Sequence, residues 1–233
     1  MFETPRLSRD IDYDYVYDPA EDTFLLMDCL EKDFTENFIK NHYNRNIKKK
    51  QKGNGSTISL EIGSGSGMIS SFINTNKIFG NKNMHLSSDI NHIAIQETLK
   101  TVKINDNNKL SQYDCLLMNL FDGFRDKLID YFVFNPPYVP SERVPDKDDL
   151  LNLALEGGLD GMEVTNILLE NIVNKLSDNG IGYILFCARN KPDIAFEKFN
   201  TKYMKDNWVM ELVDKRKCGW EVLSVYRFYK KLE

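Results

Sequence analysis

The stretch Leu60-Glu61-Ile62-Gly63-Ser64-Gly65-Ser66-Gly67 decides how the rest of the chain is read. The apolar run over 58–62 reads as a buried strand. It feeds a turn with glycine at alternate positions, where the backbone can bend sharply and a ligand can approach without meeting a Cβ. In an open parallel sheet, ligands sit beyond the carboxyl ends of the strands, where the winding reverses. The spacing is GxGxG. It is not the GxGxxG of a dinucleotide site, and no GK[ST] follows to cradle a phosphate.

Working outward, short apolar runs alternate with stretches of helical spacing. The pattern predicts a helix over 67–78, a strand over 84–89, a helix over 93–103, and strands over 113–120 and 129–134. A helix over 166–176 stopped by Asn179-Gly180, a strand over 181–187 and a helix over 193–199 follow. Strands over 208–213 and 221–229 close the chain, and their short link makes them antiparallel. Upstream, Phe24, Leu25, Leu26, Cys29 and Leu30 fall at helical spacing after Pro19, which predicts a helix over 19–38. The expected fold is α/β: a doubly wound, seven-stranded, mainly parallel sheet with an antiparallel last strand and helices on both faces. One domain is expected over 1–233, with an N-terminal helical segment at about 10–40 and a flexible basic loop at about 41–56.

Composition narrows the function classes. The 233 residues, 42% hydrophobic and 28% charged, suit one soluble domain with a substantial core. No apolar run approaches the roughly 20 residues that span a bilayer, and Met1-Phe2-Glu3-Thr4-Pro5 opens no signal peptide. Cys29, Cys115, Cys187 and Cys218 form no CxxC pair, and His42, His85 and His92 complete no metal-ligand spacing, so no metal is expected. Reduced, buried thiols imply an intracellular protein, expected in the cytoplasm with the nucleus as a second compartment. The net charge of −5 argues against nucleic acid, whose affinity rests on phosphate neutralisation. Residues 1–40 hold 4 basic and 11 acidic side chains, whereas 41–55 hold 5 basic and none acidic. The basic run lies among Asn, Gln and Gly and reads as a solvated loop rather than a nucleic-acid patch.

Two acids sharpen the glycine turn. Glu61 stands two residues before Gly63, where a carboxylate can order the loop and meet an ammonium group. Asp89 ends the second strand, where it can accept from both hydroxyls of a ribose or cap the next helix, as Asn91 also could. A ligand with a ribose, an adenine and a zwitterionic tail but no phosphate suits this set: S-adenosylmethionine (SAM). Asn119-Leu120 ends the third strand, positioned to border the adenine.

The fourth strand runs into Asn135-Pro136-Pro137-Tyr138. An amide or exocyclic amine nitrogen is a poor nucleophile because its lone pair is delocalised. The Asn135 side-chain oxygen and a neighbouring backbone carbonyl can each accept one N–H and aim the lone pair at a methyl donor. The two prolines fix φ and hold that carbonyl in place. Tyr138 offers a face to a planar amide or base. No strong base is required, since the proton can leave after attack.

These motifs resemble the HemK-like class I methyltransferases, in particular the eukaryotic glutamine N5-methyltransferases of the class I translation release factor. Residues 16–25 (VYDPAEDTFL), 154–162 (ALEGGLDGM), 187–192 (CARNKP) and 219–225 (GWEVLSV) are similar to that family as well, so the resemblance spans nearly the whole chain outside 34–56. It implies SAM contacts from Thr23, Glu61, Gly63, Asp89, Asn119, Leu120 and Asn135, joined by Gly65 and Gly67 of the turn. It implies substrate contacts from Asn135, Pro136, Pro137, Tyr138 and Val139. The family usually has Asp at the position of Asn119, which keeps an acceptor here but loses the charge. The implied substrate is the glutamine of a Gly-Gly-Gln loop. Relatives with the same loop methylate adenine N6, and protein lysine is a further alternative. Residues 141–160, with 6 acidic and 2 basic side chains, suit a basic protein loop better than phosphates. An idle SAM-fold module would be expected to break the loop or the turn, and both are intact.

The third strand, expected at a sheet edge, holds the apolar run Cys115 to Met118 and neither Lys nor Pro, so it can template another chain unless a loop covers it. The resemblance implies an obligate heterodimer with a small zinc-binding activator, expected to add along 113–120.

Overall fold

The computed structural model describes residues 2–42, 44, 56–106 and 112–231. Of the basic loop expected at 41–56, residues 41, 42 and 44 are helical instead, and its five basic side chains lie outside the described residues. Seven strands form one sheet: β1 (Thr57–Ile62), β2 (Asn83–Asp89), β3 (Tyr113–Leu117), β4 (Ile129–Phe134), β5 (Leu176–Cys187), β6 (Trp208–Cys218) and β7 (Glu221–Lys230). Their order is β3-β2-β1-β4-β5-β7-β6. All neighbours are parallel except β7, which runs antiparallel to both β5 and β6. The expected fold class holds, and winding reverses between β1 and β4.

Helices α1 (Glu21–Thr35), α2 (Met68–Asn76), α3 (His92–Asn105), α4 (Leu150–Leu155), α5 (Glu163–Lys175) and α6 (Pro192–Tyr203) complete the chain. Two apolar layers sandwich the sheet. One joins Leu60, Phe132 and Ile184 to α5 and α6 through Leu168, Ile172 and Phe199. The other joins Tyr131, Val133 and Tyr183 to α1 and α2 through Leu25, Leu30 and Phe72. Strand β4 lies between two parallel neighbours and all six of its residues are buried. Its one acid is satisfied: Asp130 accepts from Ile58 N at 2.9 Å and from Ser177 Oγ at 2.8 Å.

The structure corrects several boundaries; β5 begins at Leu176 rather than 181 and β6 runs to Cys218 rather than 213. The N-terminal segment is not helical from about 10; residues 2–20 are irregular, and α1 begins at Glu21 after an extended Ala20, leaving Pro19 outside it. Asparagines substitute for a ladder there. Asn76 bonds both the N–H and the C=O of Glu3, and Asn105 does the same for Arg6. The first helix ends at Thr35, and a separate helical stretch covers 38–42 beyond Asn37, whose φ is +65°. Strand β3 stops at Leu117 rather than at 120, because Leu120 takes a φ of +44° in a turn closed by Asp122 N on Asn119 O. Asn179-Gly180 does not stop α5; Leu176 ends it in extended geometry, and 177–180 fall where the register against β4 shifts.

Candidate active site

The glycine turn is held from the next strand. Gly63 N and Ser64 N both donate to Ser88 O, and Gly65 N donates to Asp89 Oδ2 at 3.0 Å. Gly63 has a φ of +67°, a conformation that L side chains seldom adopt. Asp89 does not cap α3. That role belongs to Asn91, whose Oδ1 accepts from Ile93 N and Ala94 N, while Asp89 Oδ1 accepts from Asn91 N at 2.9 Å. Both Asp89 oxygens thus accept from the backbone, and the carboxylate keeps lone-pair capacity for a ligand hydroxyl. Burial raises its pKa against three backbone hydrogen bonds that lower it.

Glu61 is buried and accepts from the Ser70 hydroxyl, which also meets Ser87 Oγ and His85 Nε2. Desolvation lifts its pKa to about 8, with the Ser70 bond opposing. His85 lies deeper and burial depresses its pKa to about 3, so it stays neutral.

One cleft joins this turn to the acceptor loop. Thr23, Glu61, Gly63, Gly65, Asp89, Asn119, Leu120 and the loop Asn135, Pro136, Pro137, Tyr138, Val139 all line it. Gly67 does not. It precedes α2 with a φ of +81°, and a Cβ there would lie 2.7 Å from Thr98 Cα, so this glycine serves helix packing rather than the cleft. Ile90, Met118 and Leu120 supply an apolar slot beside Asp89, and the irregular N-terminal segment contributes Tyr15, Val16 and Tyr17.

Residues whose role sequence reasoning missed hold the acceptor loop. Asn135 Nδ2 donates to Asp22 Oδ2 at 3.1 Å, and its Oδ1 is buried with no hydrogen-bond partner among the described residues. The Tyr138 hydroxyl also points at Asp22 Oδ2, at 3.4 Å. Asn190 Nδ2 donates to Tyr138 O at 2.8 Å, and Gly157 N donates to Val139 O at 2.9 Å. Backbone packing leaves no room for side chains: a Cβ on Gly157 would sit 2.3 Å from Pro137 O, and one on Gly161 would sit 2.0 Å from Tyr138 O. The segments 154–162 and 187–192, noticed only by resemblance, are the brace of this loop. Among the described residues no cluster of His, Cys, Asp or Glu could hold a metal, and no helix is long and apolar enough to cross a membrane.

A sheet ordered 3-2-1-4-5-7-6, with a glycine turn after β1 and a cleft at the winding reversal, defines a class I methyltransferase fold. No protein-family model matches the chain. It is 33% identical over 239 residues to the eRF1 methyltransferase catalytic subunit mtq2 of Schizosaccharomyces pombe, covering 99% of this chain and 96% of that protein. Methyltransferase HEMK2 of Mus musculus is 32% identical over 217 residues, 92% of this chain and 90% of its own length. Among solved structures, Mtq2 in the E. cuniculi Mtq2-Trm112 complex superposes with a TM-score of 0.60 at 21% identity, over 93% of this chain and 99% of that one. The METTL16 methyltransferase domain gives 0.57 at 12%, over 96% and 88%. The chain belongs to the methyltransferase family of mtq2 and HEMK2.

Proposed function

We propose that this chain is a protein-glutamine N5-methyltransferase that uses SAM and acts on the Gly-Gly-Gln loop of the class I release factor, eRF1. The observation that carries the reading is the buried, unpartnered Oδ1 of Asn135 in the wall of a cleft that also holds Glu61 and Asp89. The residues present fit the cofactor. Asp89 has lone pairs left for ribose hydroxyls, Ile90, Met118 and Leu120 suit an adenine, and Glu61 suits an α-ammonium. SAM supplies the electrophilic methyl. Asn135 Oδ1 and the Pro136 carbonyl each accept one N–H of the substrate amide, which draws its lone pair out of conjugation toward that methyl. The nitrogen sheds its proton after attack, so the neutral His85 and the bonded tyrosines need not act as bases. The name of the S. pombe relative supports the substrate. Transfer of labelled methyl to purified release factor, to its Gln-to-Ala mutant and to oligonucleotides in parallel tests it. Label on an oligonucleotide and none on the release factor would overturn it.

The pKa of Glu61 gives the reading a pH signature. In the free protein this carboxyl ionises as pH rises toward about 8. A cationic ammonium favours the ionised form, so binding at neutral pH releases a proton, and SAM affinity should climb from pH 6 toward 8. Above that the ligand's own α-amino group, near 7.7–8.0 in ordinary surroundings, discharges, and affinity should fall again. Calorimetry at stepped pH should show this bell for the wild type. Glu61→Gln should lose the rising limb, and an unchanged limb would release Glu61 from the ammonium.

The same reading includes a small zinc-binding partner added as a strand to β3, in the cytoplasm. Among the described residues no strand pairs with the outer edge of β3, and Leu117 there is 63% exposed. Expressed alone, the chain should be poorly soluble or bind SAM weakly, and co-expression should rescue both. A soluble, fully active monomer would refute the partner.

A further inference from the structure

Asp22 lines the cleft behind the acceptor loop, is 3% exposed and gathers the groups around it. Its Oδ2 accepts from Asn135 Nδ2 at 3.1 Å, from the Tyr17 hydroxyl at 3.1 Å and from the Tyr138 hydroxyl at 3.4 Å. Its Oδ1 accepts from Thr23 N at 2.7 Å and again from the Tyr17 hydroxyl at 3.1 Å. We propose that Asp22 is a positioning residue that dictates which end of the Asn135 amide faces the acceptor, and so makes the pocket selective for nitrogen that carries N–H. The inference rests on the methyltransferase reading of the cleft.

The two ends of an asparagine amide are almost isosteric, and a half-turn about the last torsion exchanges them. A carboxylate only accepts, so the atom facing Asp22 must be the NH2. The oxygen is thereby forced to the other side, where it is buried and finds no partner among the described residues. A buried acceptor left in that condition is costly, and an N–H from an incoming amide is what satisfies it. With the amide turned over, an NH2 would face the substrate NH2, donor against donor. Tyr17 and Tyr138 cannot substitute as donors into the cleft. Both direct their hydroxyl protons at Asp22, and burial together with that carboxylate pushes both phenols well above the usual range, so they stay protonated.

An exchange of the pair tests this, with single-turnover transfer to the release factor measured on the complex co-expressed with its partner. Asp22→Asn frees the amide to turn over and should slow transfer about 10- to 100-fold, the scale of one misdirected preorganised contact, with SAM affinity retained. Asn135→Asp sets two carboxylates face to face and should fall at least as far. In the double variant the amide introduced at 22 donates to the carboxylate introduced at 135, whose other oxygen faces the acceptor. Its rate should recover by at least about tenfold over either single change. A residue that merely supported the fold would give losses that accumulate, leaving the double variant slowest. That result, or full activity in Asp22→Asn, overturns the inference. A second measurement needs no turnover. By NMR, the Asn135 side-chain NH2 protons should exchange slowly in the wild type and quickly in Asp22→Ala. Equal rates overturn the inference while leaving the methylation reading intact. Protection in a wild type that leaves the release factor unmodified supports the inference and overturns that reading alone.

Discussion

Asn135→Ala should abolish methyl transfer while SAM binds almost as it does to the wild type. The change removes the buried Oδ1 that would accept a substrate N–H. The loop itself should stay in place. Pro136 and Pro137 keep their φ, Asn190 still holds Tyr138 O at 2.8 Å, and Gly157 N still holds Val139 O at 2.9 Å. Asp22 loses one donor and keeps those of Tyr17 and Thr23. The loss therefore falls on the reaction, on the order of a hundredfold or more for one preorganised contact. Single-turnover transfer to the release factor, beside calorimetry with SAM, separates the two effects. Near-normal turnover would remove Asn135 from the acceptor role. A parallel collapse of SAM affinity would make it a cofactor ligand first.

Much of this site was legible because strand ends and glycines speak locally. Strands β1 and β4 fall where their apolar runs lie, so Glu61 and Asn135 could be placed at carboxyl ends of strands before any contact was known. The sheet makes those strands neighbours: Glu61 pairs with Val133, and Ile62 with Phe134, one residue before Asn135. Asp22 was not legible, because its meaning lies 113 residues away in the chain and its neighbour Thr23 has the same local surroundings. The glycines at 157 and 161 carry no periodic signal either; their reason is the close approach of a carbonyl from a distant loop. Gly67 misled in the opposite sense. Its spacing matched the turn, but the side-chain room it leaves is taken by α3. The run over 10–20 is irregular rather than helical; side chains hold it, with Asn91 Nδ2 on Tyr15 O at 2.7 Å and the Asp12 carboxylate on Asp14 N at 3.1 Å.

Asp89→Ala should weaken SAM binding at least about a hundredfold, since two charge-assisted bonds to ribose hydroxyls are worth roughly 1.5–3 kcal/mol each. The geometry adds a second loss. Asp89 Oδ2 holds Gly65 N and Oδ1 holds Asn91 N, so the truncated side chain also leaves the glycine turn less well held before ligand arrives. Helix α3 should survive, because its cap is the Asn91 side chain. The ligand-free variant should therefore melt close to the wild type, while the upward shift of Tm that SAM gives the wild type should disappear. Asp89→Asn separates the contributions. It keeps one oxygen for Gly65 N but replaces the other with a donor, so it can hold the turn and still fail to receive both hydroxyls. Its affinity should lie between those of the wild type and Asp89→Ala, nearer the latter. Equal affinities for all three proteins would reduce Asp89 to a support of the turn and move the ribose elsewhere in the cleft.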